Sequence, residues 1–290
     1  MSHVRIGMIG LGIMGSAMSA NLVRAGFEVL GFDIIARRRS ELVRAGGHTA
    51  RSARDLARRV PILITSLPSV AAFAEVASEI AAARHRGQIV IETSTLPIAV
   101  KETARKRFAG AGVTLLDCPL SGTGAQARVK DLAVYASGPR AAIRRCIPVF
   151  DGFARAHYDL GPFGNGSKMK FAANLLVAIH NVSTAEAVVL ARKSGLKPAL
   201  AVKVLGDGAG ASRMLQVRGP MMAKRAYTPA TMKVEVWQKD MKIIGDFVRQ
   251  LGSPAPLFSA TQAIYDAAMR LGYGKADTAS VCAVLEHLSA

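Results

Sequence analysis

The chain has 290 residues, half of them apolar, and 38 Lys and Arg stand against 20 Asp and Glu for a formal charge of +18. That length holds a substantial core and predicts two domains; with no run of about 18 uninterrupted apolar residues and no signal-peptide pattern before the first strand, a soluble cytoplasmic protein without a membrane partner is expected. The basic residues spread along the chain from Arg5 to Lys275, the arginines densest between Arg37 and Arg59, with no basic tail or aromatic interleaving. This argues against a specific nucleic-acid partner and for a basic surface around an anionic ligand.

The first element is an apolar, β-branched run, Val4 to Ile9, which feeds Gly10-Leu11-Gly12-Ile13-Met14-Gly15; a helix-compatible stretch follows from Ser16 to Ala25, and Gly26 stops it. In such a strand, turn and helix, Gly10 permits the tight turn, Gly12 lets the backbone approach a pyrophosphate, and Gly15 lets the helix pack on the strand. A second strand, Val29 to Phe32, ends in Asp33, where an acidic residue accepts hydrogen bonds from the adenosine ribose. Glycine turns alone are common in loops, but this context points to a dinucleotide site. A carboxylate there repels a 2′-phosphate, so NAD is expected. Arg37, Arg38 and Arg39 read as a solvated helix start, yet a guanidinium fork suits NADP, and that cofactor stays open.

Further strands are expected at Ile62–Thr65, Ile89–Glu92, Val113–Leu116, Leu132–Ala136 and Ala156–Tyr158, with helices between them up to about residue 90. The result is a doubly wound α/β sheet whose last strands pair differently, because the helical crossovers shrink beyond Asp117. From about Ser167 the period becomes helical: Lys168 to Ser194, Pro198 to Leu205, Pro229 to Leu251 and Pro256 to Leu271. The reading divides the chain into 1–164, a dinucleotide-binding domain, and 165–290, an all-helical domain entered by a long helix. A cleft between two domains is a favoured ligand site.

Two segments carry candidate chemistry. In Gly164-Asn165-Gly166-Ser167-Lys168-Met169-Lys170-Phe171-Ala172-Ala173-Asn174, a glycine-rich turn enters the long helix and sets Lys170 and Asn174 at i and i+4 on one face, with Lys168 turned elsewhere. A surface lysine beside a surface asparagine reads equally well from this segment alone. In Asp117-Cys118-Pro119-Leu120-Ser121-Gly122-Thr123-Gly124, a strand passes through proline into a loop whose N–H groups and hydroxyls suit a small carboxylate. Turn chemistry would also explain its glycines. Cys118, Cys146 and Cys282 are odd in number and scattered, which suits reduced thiols, and none is a candidate nucleophile. His3, His48, His85, His157, His180 and His287 show no metal-ligand spacing, so no metal is expected. Trp237 with Met232 and Met241 reads as core.

Together these segments resemble the β-hydroxyacid dehydrogenase family, which includes 3-hydroxyisobutyrate, tartronate semialdehyde and 6-phosphogluconate enzymes. The matches are the turn 10–15, the loop 117–122, the helix start 164–174 and Lys239-Asp240, with weaker likeness at Leu67-Pro68-Ser69 and Ser94-Thr95. The resemblance implies a Rossmann domain followed by an all-α domain, and oxidation by NAD or NADP of a small 3-hydroxy acid. It further implies Lys170 as general acid/base, Asn174 as orienting residue, and Ser121, Gly122 and Thr123 as carboxylate ligands. The turn Gly10, Leu11, Gly12, Ile13, Met14 and Gly15, with Asp33, Leu67, Pro68, Thr95 and Lys239, would serve the cofactor. Hydride loss to nicotinamide requires a base on the hydroxyl proton, and a lysine serves when burial or a nearby cation lowers its pKa; Lys239 is a candidate for that cation.

The chain departs from the family pattern at Thr123-Gly124-Ala125-Gln126-Ala127, at Lys130 in place of a glycine, and at Ala173 in place of a second asparagine, which leaves the substrate open. Ser212, in the Gly206 to Ser212 stretch, is a candidate specificity contact. A homodimer or homotetramer is implied as well. An imine reductase of the same architecture is the alternative, though members of that branch usually lack the lysine. A non-catalytic cofactor-binding protein associated with nucleic acid would explain the charge but leave Lys170, Asn174 and the loop without a use.

Overall fold

The structure is a computed structural model and describes residues 4–288. The chain divides into two compact units, Met1–Lys170 and Phe171–Ala290. In the first, six strands, β1 (Arg5–Ile9), β2 (Glu28–Phe32), β3 (His48–Thr49), β4 (Ile62–Thr65), β5 (Ile89–Glu92) and β6 (Thr114–Asp117), form one sheet in the order β3-β2-β1-β4-β5-β6. All are parallel, and the register aligns Phe32, Ile9, Thr65, Glu92 and Asp117 in a row along the C-terminal edge. Every loop leaving that row opens on the same side, and the strand order reverses between β1 and β4, the place where such sheets bind ligands.

Between their ends the strands other than β3 are apolar, because both faces are covered. Ile6, Met8, Ile64, Ile91 and Leu116 face one core layer with Met18 and Leu22 of α1 (Ile13–Arg24). Ile9, Leu63, Val90 and Leu115 face the other, with α3 (Ala53–Arg59), α4 (Val70–Ala83) and α5 (Ile98–Gly110). The helix α2 (Ala36–Arg44) buries only Leu42.

Beyond Asp117 the pairing does change. A separate three-stranded sheet, β7 (Leu120–Ser121), β8 (Ala133–Ala136) and β9 (Ala156–Asp159), has the order β7-β8-β9 with β7 antiparallel to β8. The short helix α6 (Gly124–Arg128) follows β7, but the crossovers do not shrink as expected: α7 (Arg140–Phe153) joins β8 to β9 as a full helix. Its internal Pro148 hid it, although Ile143, Cys146, Val149, Phe150 and Phe153 trace one buried face. The charges of α5 concealed that helix in the same way.

The helix α8 (Asn165–Lys193) opens at the end of the first unit and continues into the second, which adds α9 (Pro198–Asp207), α10 (Arg213–Lys224), α11 (Val234–Leu251), α12 (Pro256–Arg270) and α13 (Val281–Leu288). Among the described residues this unit contains no strand. Neither α10 nor α13 was expected, and α11 starts at Val234 rather than Pro229. By length and composition α8 alone among the described helices is long and apolar enough to cross a bilayer. Here its Asn181 is buried and donates from Nδ2 to Tyr265 Oη and to the Thr278 carbonyl, both at 3.0 Å.

Asp277, fully buried, organises the segments around α11. One carboxylate oxygen accepts from Arg218 Nε at 3.1 Å and from Ala279 N at 3.0 Å, and the other from the N–H and hydroxyl of Thr231, both at 2.7 Å. Burial works to raise the pKa of this carboxyl, but Arg218 and the N–H donors outweigh it and hold it below the ordinary aspartate range. Because the folded value is depressed, the stability it contributes is full above about pH 4 and is lost as pH falls further. Asp277→Ala strands the buried Arg218 and is expected to cost about 3–5 kcal/mol, read as a lower denaturation midpoint at neutral pH. The difference from wild type should shrink under acid; a difference constant from pH 7 to 3 would contradict this account.

Candidate active site

The turn after β1 shows three different demands on its glycines. Gly10 has φ +89°, and a Cβ there would run into the Ser66 carbonyl; one on Gly15 would run into the Gly10 carbonyl. A Cβ on Gly12 would meet nothing within 4 Å. Gly10 and Gly15 therefore serve packing, while Gly12 leaves open the space at the N-terminus of α1. No side chain caps that terminus and no acidic residue occupies its first turn. Uncapped N–H groups and the positive end of the helix dipole suit a phosphate, so the residues present fit a dinucleotide.

Asp33 lies directly beyond β2, 6% exposed, and accepts from Leu11 N and Ile35 N at 2.8 Å each. The expectation of a solvated arginine run holds for Arg37, which is exposed and pairs with Glu41. It does not hold for its neighbours. Arg38 reaches Asp33 Oδ2 at 3.2 Å and Arg39 donates to the Asp33 carbonyl at 2.6 Å.

Along the strand-end row runs a buried polar network that the sequence reading missed. The Thr65 hydroxyl donates to Glu92 Oε2, and Ser94 N donates to Glu92 Oε1 at 2.6 Å. Burial raises the Glu92 pKa, opposed by the Lys101 charge and by hydrogen bonds from Thr65 and Ser94. Ser94 Oγ accepts from Leu67 N at 2.8 Å. The Lys101 ammonium, 0% exposed, donates to the Ser94 carbonyl and to Asp117 Oδ1, both at 2.8 Å. Asp117 also accepts from Ser167 Oγ at 2.8 Å and Ser167 N at 2.7 Å, while Ser137 Oγ accepts from Gly166 N at 2.9 Å. One signal was available: Lys101 shares the buried face of α5 with Ala104 and Phe108, an apolar stripe interrupted by a charge.

In the loop after β7, Gly122 has φ +132°, and Thr123 N donates to Gln126 Oε1 at 3.0 Å at the start of α6. Gly124 packs so closely on Ile13 that a Cβ would overlap it, which places this loop directly beside the phosphate turn. Ser121, Gly122 and Thr123 are half-buried. Lys130, which stands where a glycine is usual, has φ +60°, a conformation glycine adopts at no steric cost. Burial pushes the thiol of Cys146 up to about 12 and raises those of Cys118 and Cys282; all three are unpaired and buried.

Lys170 is half-buried in the second turn of α8 and shares a helix face with Asn174, while the exposed Lys168 turns back to Asn165. In the second unit Asn174 is buried and donates from Nδ2 to Asp240 Oδ2 at 3.1 Å, and Lys239 Nζ lies 3.3 Å from Asp240 Oδ1. The carboxylate joining these two expected residues is Asp240 of the Lys239-Asp240 match, whose bond to Asn174 the sequence does not reveal. Ser212 caps α10, accepting from Leu215 N at 3.0 Å. Pro68 is exposed, Thr95 half-buried, and Trp237 and Met241 belong to the core. Among the described residues no group of three or more His, Cys, Asp or Glu is placed to hold a metal; His3 lies outside them.

The glycine geometry separates binding from stability. Gly12→Ala is expected to keep the unfolding midpoint of wild type while weakening coenzyme binding at least about ten-fold, since its Cβ enters only open space. Gly15→Ala should cost about 1–3 kcal/mol through its clash with the turn. Calorimetry paired with coenzyme titration checks both, and equal coenzyme affinity in Gly12→Ala and wild type would rule out this cradle.

Residues 5–161 match the model of the NAD-binding domain of 6-phosphogluconate dehydrogenase, and residues 164–285 that of the NAD-binding region of NADP-dependent 3-hydroxyisobutyrate dehydrogenase. L-threonate dehydrogenase of Cupriavidus necator is 32% identical over 95% of this chain and 94% of its own. Glyoxylate/succinic semialdehyde reductase 1 of Arabidopsis thaliana is 29% identical over 96% and 97%. The crystal structure of a 3-hydroxyisobutyrate dehydrogenase from Salmonella typhimurium superposes with a TM-score of 0.88 at 29% identity, covering 97% of this chain and 99% of that one. With its phosphate turn, parallel sheet and helical second unit, the chain belongs to the β-hydroxyacid dehydrogenase family, the NAD(P)-dependent hydroxyacid oxidoreductases.

Proposed function

We propose that the chain oxidises a small 3-hydroxy acid of the threonate type to its keto acid or semialdehyde, with NAD preferred and Lys170 as general acid/base. The observation that carries this reading is the placement of Lys170 one turn after a helix start anchored to Asp117, in the same strand-end row that leads into the phosphate turn. Ser121, Gly122 and Thr123 hold the carboxylate through N–H and hydroxyl donors, setting the hydroxyl carbon near Lys170. Asn174, its amide fixed by Asp240, orients the hydroxyl from the next turn of the helix. Lys170 in its neutral form takes the hydroxyl proton, and it returns one when the reaction runs in reverse. A nicotinamide coenzyme held at the turn of residues 10–15 would supply the hydride acceptor for the substrate carbon. Lys239 serves the coenzyme, and Ser212 contributes to substrate specificity. Leu67, Pro68 and Thr95 line the coenzyme. The protein works in the cytoplasm without a metal, a membrane or a specific nucleic acid.

The NAD preference rests on the Asp33 carboxylate, which a 2′-phosphate would approach at a cost even with Arg38 beside it. Absorbance of reduced nicotinamide, followed with NAD and NADP over threonate, glycerate, 3-hydroxyisobutyrate and serine, tests the whole reading. Lys170→Ala should lose about 10²–10⁴-fold in kcat while coenzyme binding persists, and Asp33→Ser should move the NAD/NADP ratio of kcat/KM about ten-fold or more towards NADP. A Lys170→Ala enzyme as active as wild type would remove the assigned base.

The assembly proposed is a homodimer or homotetramer. The helix α9 has no buried residue, and Leu176 and Leu190 of α8 with Leu200 and Val204 of α9 are more than half exposed, an apolar surface that a second copy of the chain would cover. Light scattering should give a multiple of the monomer mass for wild type and the monomer mass for a Leu190→Glu, Leu200→Glu double variant; a monomeric wild type rejects the assembly.

A further inference from the structure

We propose that Lys101 is a positioning residue for this reaction, tying the turn at Ser94–Thr95 to the first turn of the helix that carries Lys170. The proposal rests on the reading of Lys170 given above. The link is continuous and buried. Leu67 N donates to Ser94 Oγ, the Lys101 ammonium donates at 2.8 Å to the Ser94 carbonyl and at 2.8 Å to Asp117 Oδ1, and Asp117 accepts from Ser167 Oγ and Ser167 N. Ser167 lies in the opening turn of α8, three residues before Lys170. Gly166 fits against the Tyr135 and Asp117 carbonyls with no room for a Cβ, so the helix start has no slack towards the sheet.

A buried lysine–aspartate pair is a poor choice for stability alone. Apolar side chains at both positions, continuing the stripe of Ala104 and Phe108, would avoid desolvating two charges. What the ammonium adds is directional: it presents several donors from one point and sets the Ser94 carbonyl and the Asp117 carboxylate at fixed separation. Hydride transfer depends steeply on such separations, and a displacement of about 1 Å costs on the order of 10²-fold in rate.

The test uses the full chain as wild type, Lys101→Met and Ser167→Ala, with kcat, KM, the deuterium isotope effect on the reacting carbon and the affinity for reduced nicotinamide coenzyme as readouts. Lys101→Met loosens both ends of the link: kcat falls about 10–100-fold with KM for the acid within about three-fold, the isotope effect rises as hydride transfer becomes limiting, and coenzyme affinity drops about ten-fold. Ser167→Ala keeps its N–H bond to Asp117 and touches only the helix end, so kcat falls about ten-fold, the isotope effect rises and coenzyme affinity holds within about two-fold. Variants that lose thermal stability while all four readouts stay at wild-type values overturn the proposal. Should Lys101→Met not fold, Ser167→Ala decides by the same criterion. If wild type oxidises none of the acids, the assigned reaction fails by itself, and the link is judged on coenzyme affinity in Lys101→Met: a ten-fold loss upholds it and no change rejects it.

Discussion

The Asp117 carboxylate is the constraint on which the first unit's functional edge depends. A buried charge is tolerated only when its oxygens are satisfied, and here an ammonium, a hydroxyl and a backbone N–H supply that satisfaction from two separate helices. The N–H belongs to the opening turn of α8, where helical donors have no partner of their own, so Asp117 acts as a cap contributed from fifty residues away in sequence. A cap from the preceding residue would fix only the helix's direction. A cap from a strand end also fixes its position on the sheet, and with it the reach of Lys170.

The same device recurs in the second unit. Asp277 gathers Arg218, Thr231 and Ala279, and Asp240 gathers Asn174 and Lys239. In each case one short acidic side chain joins segments that apolar packing alone would leave free to slide. The strongly basic composition fits this economy. Arginines and lysines lie mostly outside and exposed, whereas several of the scarce carboxylates sit inside, where each one sets a geometry.

How much of this was legible in the sequence follows from the range of the interactions. The turn at residues 10–15 and Asp33 are local signals, readable because strand, turn and helix must succeed one another within about thirty residues. The central strands β1, β2, β4, β5 and β6 were readable because burial on both faces makes them apolar without interruption. The edge strand β3, two exposed residues long, carries no such signature, and the helix α7 was hidden by Pro148. The hydrogen-bonded roles of Lys101, Glu92, Ser167 and Asp240 were not legible, since each depends on a partner 16 to 66 residues away and little that is local marks a charged side chain as inward-facing. Lys101 came nearest, through its position on the apolar stripe of α5.

The burial of all three cysteines has a practical consequence. Only the thiolate attacks alkylating reagents or disulfides, and at neutral pH thiols raised as these are supply almost none of it. The folded protein is in effect a blank for thiol chemistry. A single cysteine introduced on the exposed surface, for example in place of Ser259, would take up a fluorophore or spin probe without competition from the native ones, giving the chain a ready route to distance measurements between chosen points.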